Sequence, residues 1–532
     1  MLAELRFYSR MAIGIAQTMR APVPTNPEER IRARFERRDQ TFLELAERVV
    51  FRKPDHPYAV MLRLAGCELG DLQAMIRQDG LEPALLRLRR EGVYLTHQEW
   101  KGKQPIVRGG REIPASPESF KNPFVRGWMQ SSSSGSSGRP VTTARSLDAW
   151  FHNASYRHLK VKEFGLNRRS VIELKPILPF ASGMNTVIHA QRMGTPVDRW
   201  FSLGSTFSGS AHYRLMTGAM LTLANLMGAR APYPSYLAAN DFLPVVEHIA
   251  RRRSEGRECI VQGFTSPLVR VAGTALAKGV DISGTTFMCG GEALTPGKLD
   301  LFHAAGARAY ASYVISELSH IGLPCQAMKG NTVHLLQDSI AAIVYRRPSP
   351  YGEGNPVDSL HFTTLRSHAP LVFINVEMDD EGQLVPATCD CVYSRLGFRT
   401  LITGINSFGK MSPQGMTFHG TDLQRVLEVD LPTRLGGGLG DYQLVECEAH
   451  NQQTQLRLYV SPRVGLADPA QAGKVFLEVM RPQWGGALAT GQWIHTGGLE
   501  VVVAEPFATR TGKVHPVKLL GATSVSQKSA HA

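Results

Sequence analysis

The sequence predicts an α/β protein: a large layered α/β region with a helical N-terminal extension, followed by a small α+β C-terminal region. Three observations carry this prediction. Helical periods dominate the first 120 residues, short apolar runs alternate with helical periods from Arg145 to Val376, and the pattern changes again after Gly404. Alternation of the second kind is the signature of strands layered against helices.

In the N-terminal extension, Phe35–Val50 and Leu72–Arg90 place apolar residues at i, i+3, i+4 and i+7, so each predicts an amphipathic helix packed on something else. Lys101–Gly110, rich in Gly with Pro105, predicts an irregular or hairpin connection. Buried strands are then predicted at Val171–Leu174, Arg199–Leu203, Glu258–Gly263, Thr285–Met288, Ala307–Tyr313 and Ile340–Tyr345. Helices are predicted between them at Ala211–Leu226, Leu237–Arg252 and Ser266–Lys278. After Gly404 the expected order is a helix at Asp422–Glu428, alternating strands at Tyr442–Ala449 and Gln455–Ser461, a helix at Pro469–Arg481, and strands before a basic tail. The division is therefore 1–120, 121–404 and 405–532.

Composition bounds the function. At 532 residues and 43% hydrophobic content the chain can bury more than one core. The net charge of +13 is spread along the chain without the aromatic-interleaved basic motif of a nucleic-acid reader, which excludes nucleic acid as the expected partner. A scattered basic excess still helps to attract polyanions. Seven cysteines at unpaired-looking spacings argue against a secreted disulfide framework. Arg6 and Arg10 interrupt the apolar residues of the first segment, and Leu215–Ala229 is too short for a confident span, so a cytoplasmic protein without a membrane span is expected. Neither a Gly-x-Ser-x-Gly elbow nor a His-Glu-x-x-His helix occurs, so hydrolase and metalloprotease chemistry lack their motifs.

The most informative segment is Ser131–Val141, a run of serines and glycines with no side chain large enough to fill its own concavity. Glycines allow close backbone approach and serines add rotatable donors, so such a loop can wrap phosphates. The plainer reading is a flexible Ser/Gly linker. Gly135 and Gly138 are separated by two residues and followed by Arg139-Pro140, which excludes a Walker A loop, and no dinucleotide fingerprint is present.

Further motifs lie downstream. Phe287–Cys289 runs into Gly290-Gly291-Glu292-Ala293, Tyr313-Val-Ile-Ser316-Glu317 ends the next apolar run, and Thr509-Arg-Thr-Gly512-Lys513 stands in the tail. Singly, each is ordinary turn or tail chemistry.

Together they resemble the adenylate-forming superfamily of acyl-CoA ligases and adenylation domains. Ser133-Ser134-Gly135-Ser136-Ser137-Gly138-Arg-Pro140 resembles its phosphate loop S-S-G-T-T-G-x-P, with each Thr replaced by Ser. Val141 stands where many members carry Lys; the phenylacetate-CoA ligase branch also lacks that lysine, and Leu360–Leu365, Cys389-x-Cys391 and Ile402-Thr-Gly404 resemble that branch. The resemblance implies that Gly291, Glu292 and Ala293 border the adenine, Tyr313 stacks on the base, Ser316 touches the α-phosphate and Glu317 holds Mg²⁺. Val314 replaces the family's glycine. It also implies an acidic residue on the ribose hydroxyls: Asp379, with Glu377 and Asp380 as rivals. Lys513 is implied as the catalytic cation that bridges the attacking carboxylate and the α-phosphate, carried by a small mobile C-terminal domain.

The implied activity is ATP-dependent conversion of a small-molecule carboxylic acid to acyl-AMP with release of pyrophosphate. Transfer to a thiol follows, with coenzyme A the first choice. The alternatives are an acyl-protein or carrier-protein synthetase using the same first step, and a non-catalytic nucleotide-binding scaffold of the same fold. ATP, Mg²⁺ and coenzyme A are the implied cofactors and co-substrates. Outside this scheme, Cys389 and Cys391 suggest two ligands of a structural Zn²⁺ with Cys325 and either Cys259 or a histidine, although C-x-C suits a closed site less well than C-x-x-C.

Overall fold

The computed structural model describes residues 2–520 except 24, 103, 126, 128, 133–141, 179–180, 203–210, 239–240, 292, 349–355, 408–419, 449–453, 482–498, 509–513 and 515. Its frame is a sheet of twelve strands. One half is parallel, in the order Pro234–Tyr236, Val197–Ser202, Ser170–Leu174, Cys259–Phe264, Thr286–Gly290 and Arg308–Ile315. The other half continues antiparallel through Ser319–Leu323, Val333–Leu335, Thr400–Ser407, Val376–Pro386, Pro356–Thr364 and Ile340–Pro348.

The parallel half is a three-layer sandwich, and the strand sequences show why. Ile172, Leu174, Val261, Phe287 and Cys289 face a core built with Val245, Val246, Ile249, Val271, Ala272 and Phe302. Their neighbours Val171, Ile260 and Met288 face the opposite core, with Met11, Ile15, Met184, Val187, Leu221 and Ala224. Apolar residues on both sides of a strand are what a sheet covered by helices on both faces requires. Helices Leu243–Ser254, Thr265–Lys278 and Pro296–Ala304 cover one face; Leu2–Arg20, Ser182–Arg192 and Ala211–Leu226 cover the other.

The N-terminal helices pack on the antiparallel half. Their leucines and aromatics share one core with Ile340, Ile343, Leu360, Phe362, Phe373 and Val376. Asn375, at φ 51°, fixes the contact by donating its side-chain amide to Leu85 O at 2.8 Å and Val93 O at 3.1 Å, and Leu95 then bridges Val376 in parallel. The predicted helix Leu72–Arg90 is in fact two, Leu69–Asp79 and Leu81–Arg90, because Gly80 takes φ 88°. A residue in that conformation ends a right-handed helix, and glycine adopts it without a Cβ clash. Phe35–Val50 is likewise broken at Arg37, while Lys101–Gly110 leads into the hairpin Ile106–Arg108/Arg111–Ile113.

The C-terminal unit has its own core, formed by Leu423, Leu427, Leu444, Leu458, Phe476 and Met480 among others. Helix Pro469–Met480 packs there with a four-stranded sheet ordered Leu499–Val503, Thr454–Val460, Tyr442–Glu448 and Val517–Leu520. No helix among the described residues is long and apolar enough to cross a membrane.

Candidate active site

In open α/β sheets, ligands bind beyond the carboxyl ends of the parallel strands, because loops and helix N-termini converge there. The two central motifs emerge at that edge. Strands Thr286–Gly290 and Arg308–Ile315 pair in parallel with Gly290 opposite Ser312, so Gly291 leaves the sheet beside Tyr313, which stays paired with Gly322 on its other side. Gly291 turns with φ 76°, a conformation that glycine adopts without strain, and Ala293 follows half-buried.

A register shift between Tyr313 and Val314 interrupts the ladder that Arg308–Ile315 forms with Ser319–Leu323. Bulges of this kind re-aim a side chain. Val314 keeps an ordinary negative φ and is 40% exposed, so the absence of glycine at this position introduces no backbone strain; the left-handed residue is Ser319, at φ 67°. Ser316 is exposed in the turn, and Glu317 is buried beside it.

Glu317 meets a cation. Lys101 Nζ lies 2.9 Å from Glu317 Oε1 and 4.2 Å from the centre of the Trp100 ring. Lys101 is delivered by the short helix His97–Trp100, whose start is fixed by reciprocal capping: Glu99 N donates to Thr96 Oγ1, and Thr96 N donates to Glu99 Oε2. The same turn delivers His97, whose Nδ1 lies 2.9 Å from Asp379 Oδ2. One N-terminal turn thus engages Glu317 and Asp379, two of the acidic residues that the sequence analysis singled out. Neither His97 nor Lys101 was foreseen, although Thr96-His-Gln-Glu99 is a capping-box signal that marks this helix.

The three rival acids on the strand Val376–Pro386 have different surroundings. Glu377 is fully buried, held by Arg347 and 3.7 Å from His361 Nε2; burial pushes its carboxyl up, against the pull of Arg347. Asp379, at φ 59°, is turned to His97. Asp380 accepts a hydrogen bond from the Tyr313 hydroxyl at 2.6 Å, which places it next to the motif residue. Burial first, then the Asp380 carboxylate, push the Tyr313 phenol well above its ordinary value, so it remains a donor.

Ser133, Ser134, Gly135, Ser136, Ser137, Gly138, Glu292 and Lys513 lie outside the described residues. The flanks of two of these segments are placed. Met129–Ser132 pairs antiparallel with Thr142–Arg145, Ser132 opposite Thr142, on either side of 133–141 in the sequence. Ala508 and Val514 likewise form an antiparallel bridge around 509–513. Val514 lines a cleft with Arg270, Lys298 and Glu428. Glu428, from the C-terminal unit, lies 3.1 Å from Lys298 and accepts a hydrogen bond from Thr295 at 2.9 Å. The C-terminal unit therefore touches the large one just beyond the Gly290-Gly291 turn.

No protein-family model matches the chain, and no curated protein matches it. Among solved structures it is similar to a 2-hydroxyisobutyryl-CoA ligase in complex with 2-HIB-AMP and coenzyme A, at 16% identity over 93% of each chain with a TM-score of 0.41. An anthranilate CoA ligase in complex with anthranoyl-AMP is similar at 11% identity over 81% of this chain and 74% of that one, TM-score 0.41. An acyl-CoA synthetase of Brucella canis is similar at 13% identity over 73% and 62%, TM-score 0.32. Overlap at this level leaves the functional reading to the chain's own residues.

Proposed function

We propose that this chain activates a carboxylic acid with ATP, forming acyl-AMP and pyrophosphate, and then passes the acyl group to a thiol, most simply that of coenzyme A. The observation that carries the reading is the pairing of Gly290 with Ser312, which brings two motifs 21 residues apart to one carboxyl edge of the parallel strands. The antiparallel pairing of Met129–Ser132 with Thr142–Arg145, the flanks of the serine-rich segment, supports a phosphate loop over a linker, since a linker has no need of paired flanks.

In this reading Gly291, Glu292 and Ala293 border the adenine and Tyr313 presents its ring to the base. Asp379, or Asp380 beside Tyr313, accepts the ribose hydroxyls. Ser133–Gly138 donate to the phosphates, and Ser316 to the α-phosphate. A carboxylate oxygen of the acid attacks the α-phosphorus, the bond to the pyrophosphate oxygen breaks, and pyrophosphate leaves. Charge concentrates between two anions as this happens, so Lys513 aimed at that point stabilises the transition state more than the ground state. The thiol then attacks the acyl carbon and AMP departs.

Mg²⁺ is ordinarily held by one or two carboxylates together with phosphate oxygens. Glu317 supplies one such carboxylate, and the fit requires a metal ion to share it with, or take it from, Lys101. Bound there, the ion would neutralise phosphate charge.

The Lys101–Glu317 pair is also the observation that favours a second reading, a nucleotide-binding scaffold whose metal ligand is permanently neutralised. Carboxylate-dependent exchange of labelled pyrophosphate into ATP, screened over aryl and fatty acids, separates the two. Exchange with any acid supports the enzyme; none across the panel, with ATP binding intact, leaves the scaffold.

A further inference from the structure

In the antiparallel half, at the end where Pro386 pairs with Thr400 and His334 with Leu401, four side chains from three segments converge. Cys325 follows the strand Ser319–Leu323, His334 belongs to Val333–Leu335, and Cys389 and Cys391 lie between the strand Val376–Pro386 and the short helix Val392–Arg395. Their ligand atoms all fall within 4.8 Å of one another.

The distances match the edges of a metal tetrahedron. Zinc–sulfur bonds of about 2.3 Å and zinc–nitrogen bonds of about 2.0–2.1 Å put tetrahedral S···S edges near ~3.8 Å and S···N edges near ~3.5 Å. Cys325 Sγ and Cys389 Sγ are 3.8 Å apart, and Cys389 Sγ and Cys391 Sγ 3.7 Å. His334 Nε2 lies 3.4 Å from Cys389 Sγ and 3.2 Å from Cys391 Sγ. A disulfide would hold two sulfurs at about 2.05 Å, and these thiols are free.

The surroundings prepare the ligands. His334 Nδ1 lies 2.8 Å from the carbonyl oxygen of Phe398; with the proton on Nδ1 donated there, the Nε2 lone pair is directed at the sulfurs. Metal-bound histidines are oriented by this kind of bond from the other ring nitrogen. Tyr393 stacks on the imidazole at 5.2 Å, and the Ser394 N–H points to Cys391 Sγ at 3.5 Å. Leu323, Leu336, Leu396, Phe398 and Leu401 close an apolar shell, while Cys389 and Cys391 remain half-buried, which leaves a way in. Cys259, the other cysteine raised by the sequence analysis, sits in the central strand Cys259–Phe264 and takes no part.

We propose that Cys325, His334, Cys389 and Cys391 form a closed Cys3His site for a structural zinc ion. With four protein ligands no position remains for water or substrate, which is the mark of a structural site. The ion would pin the segment leading into Thr400–Ser407 to the hairpin Ser319–Leu323/Val333–Leu335. Glu163 already spans the same two corners, accepting from Gln326 N at 2.9 Å and from Val392 N at 3.3 Å. The site is independent of the reaction proposed above.

Elemental analysis of the full chain, purified under reducing conditions, is expected to give about one zinc per chain. Replacement by Co²⁺ is expected to give the strong visible absorption and thiolate charge-transfer bands of tetrahedral thiolate-bound cobalt. Cys389→Ser should lose the metal and Cys259→Ser should keep it. Because Cys389→Ser can fail to fold, the parent protein is decisive on its own. Absence of zinc both as purified and after reconstitution, iron in its place, or an octahedral cobalt spectrum would each overturn the assignment.

Discussion

Lys101 Nζ lies 2.9 Å from Glu317 Oε1, with the two side chains only 6% and 8% exposed. A buried pair of this kind stabilises less than its geometry suggests, because both ions have lost their water; removing one partner is what costs, about 3–5 kcal/mol. Lys101→Met is therefore expected to lower the unfolding temperature in the absence of divalent ions, with Mg²⁺ restoring part of the loss. In pyrophosphate exchange the Mg²⁺ concentration for half-maximal rate should fall by about tenfold, equivalent to about 1.4 kcal/mol of relieved competition. Glu317→Gln should move the same curve the other way. Identical Mg²⁺ dependence in all three proteins would make the pair purely structural.

Tyr313 offers a ring and a hydroxyl that can be tested separately. Its hydroxyl is engaged with Asp380 at 2.6 Å, so Tyr313→Phe removes one hydrogen bond and keeps the stacking surface. Stacking of a base on an aromatic ring is worth about 1–3 kcal/mol, so Tyr313→Ala should weaken ATP binding by roughly tenfold or more while Tyr313→Phe stays near the parent. Titration calorimetry reads the difference. Equal affinity of Tyr313→Ala and parent would remove the ring from the nucleotide site.

His56 gives a pH dependence of known sign. It caps the helix Pro57–Leu64, its Nδ1 accepting the Tyr58 N–H at 3.2 Å, which requires the unprotonated ring. Burial first, then Lys53, lower its pKa to about 4, while Asp55 pulls weakly upward. The folded value is thus below the unfolded one, near 6.5, so between these limits the unfolded chain binds the extra proton. Stability is complete above about pH 6.5 and falls as pH drops toward 4, by about 2 kcal/mol at pH 5. Urea unfolding at pH 7.5 and 5 measures the loss. His56→Asn keeps an acceptor that does not titrate and should flatten the slope; an unchanged slope would assign the effect to other buried histidines.

The parts of this molecule that could be read from its sequence are those where one physical signal dominates. Ala211–Leu226 is a helix over the predicted residues, and the parallel strands announced themselves because both of their faces are apolar. Val376–Pro386 hid because Glu377 and Asp379 are buried polar residues that break the apolar run, held by Arg347 and His97, both distant in sequence. The site divides the same way. Tyr313 and Glu317 belong to a local motif, whereas Lys101 meets Glu317 across 216 residues of chain. Cys325, Cys389 and Cys391 could be named, but His334 lies on a three-residue strand with no local signal of its own.

The last prediction separates the two proposed half-reactions. Lys513 stands next to Val514 in sequence, and Val514 bridges Ala508 and lines the cleft with Lys298 and Glu428. Its charge matters only while the carboxylate and the α-phosphate converge, so Lys513→Ala should slow acyl-AMP formation by roughly 10²–10³-fold, about 3–4 kcal/mol, as expected for loss of one transition-state electrostatic donor. Thiol transfer involves no approach of two anions at that point and should be nearly spared. Synthetic acyl-AMP supplied with the acceptor thiol is then expected to restore product in the variant at close to the parental rate. A variant that forms acyl-AMP as fast as the parent would take Lys513 out of the reaction and leave it a solvated residue of a basic tail.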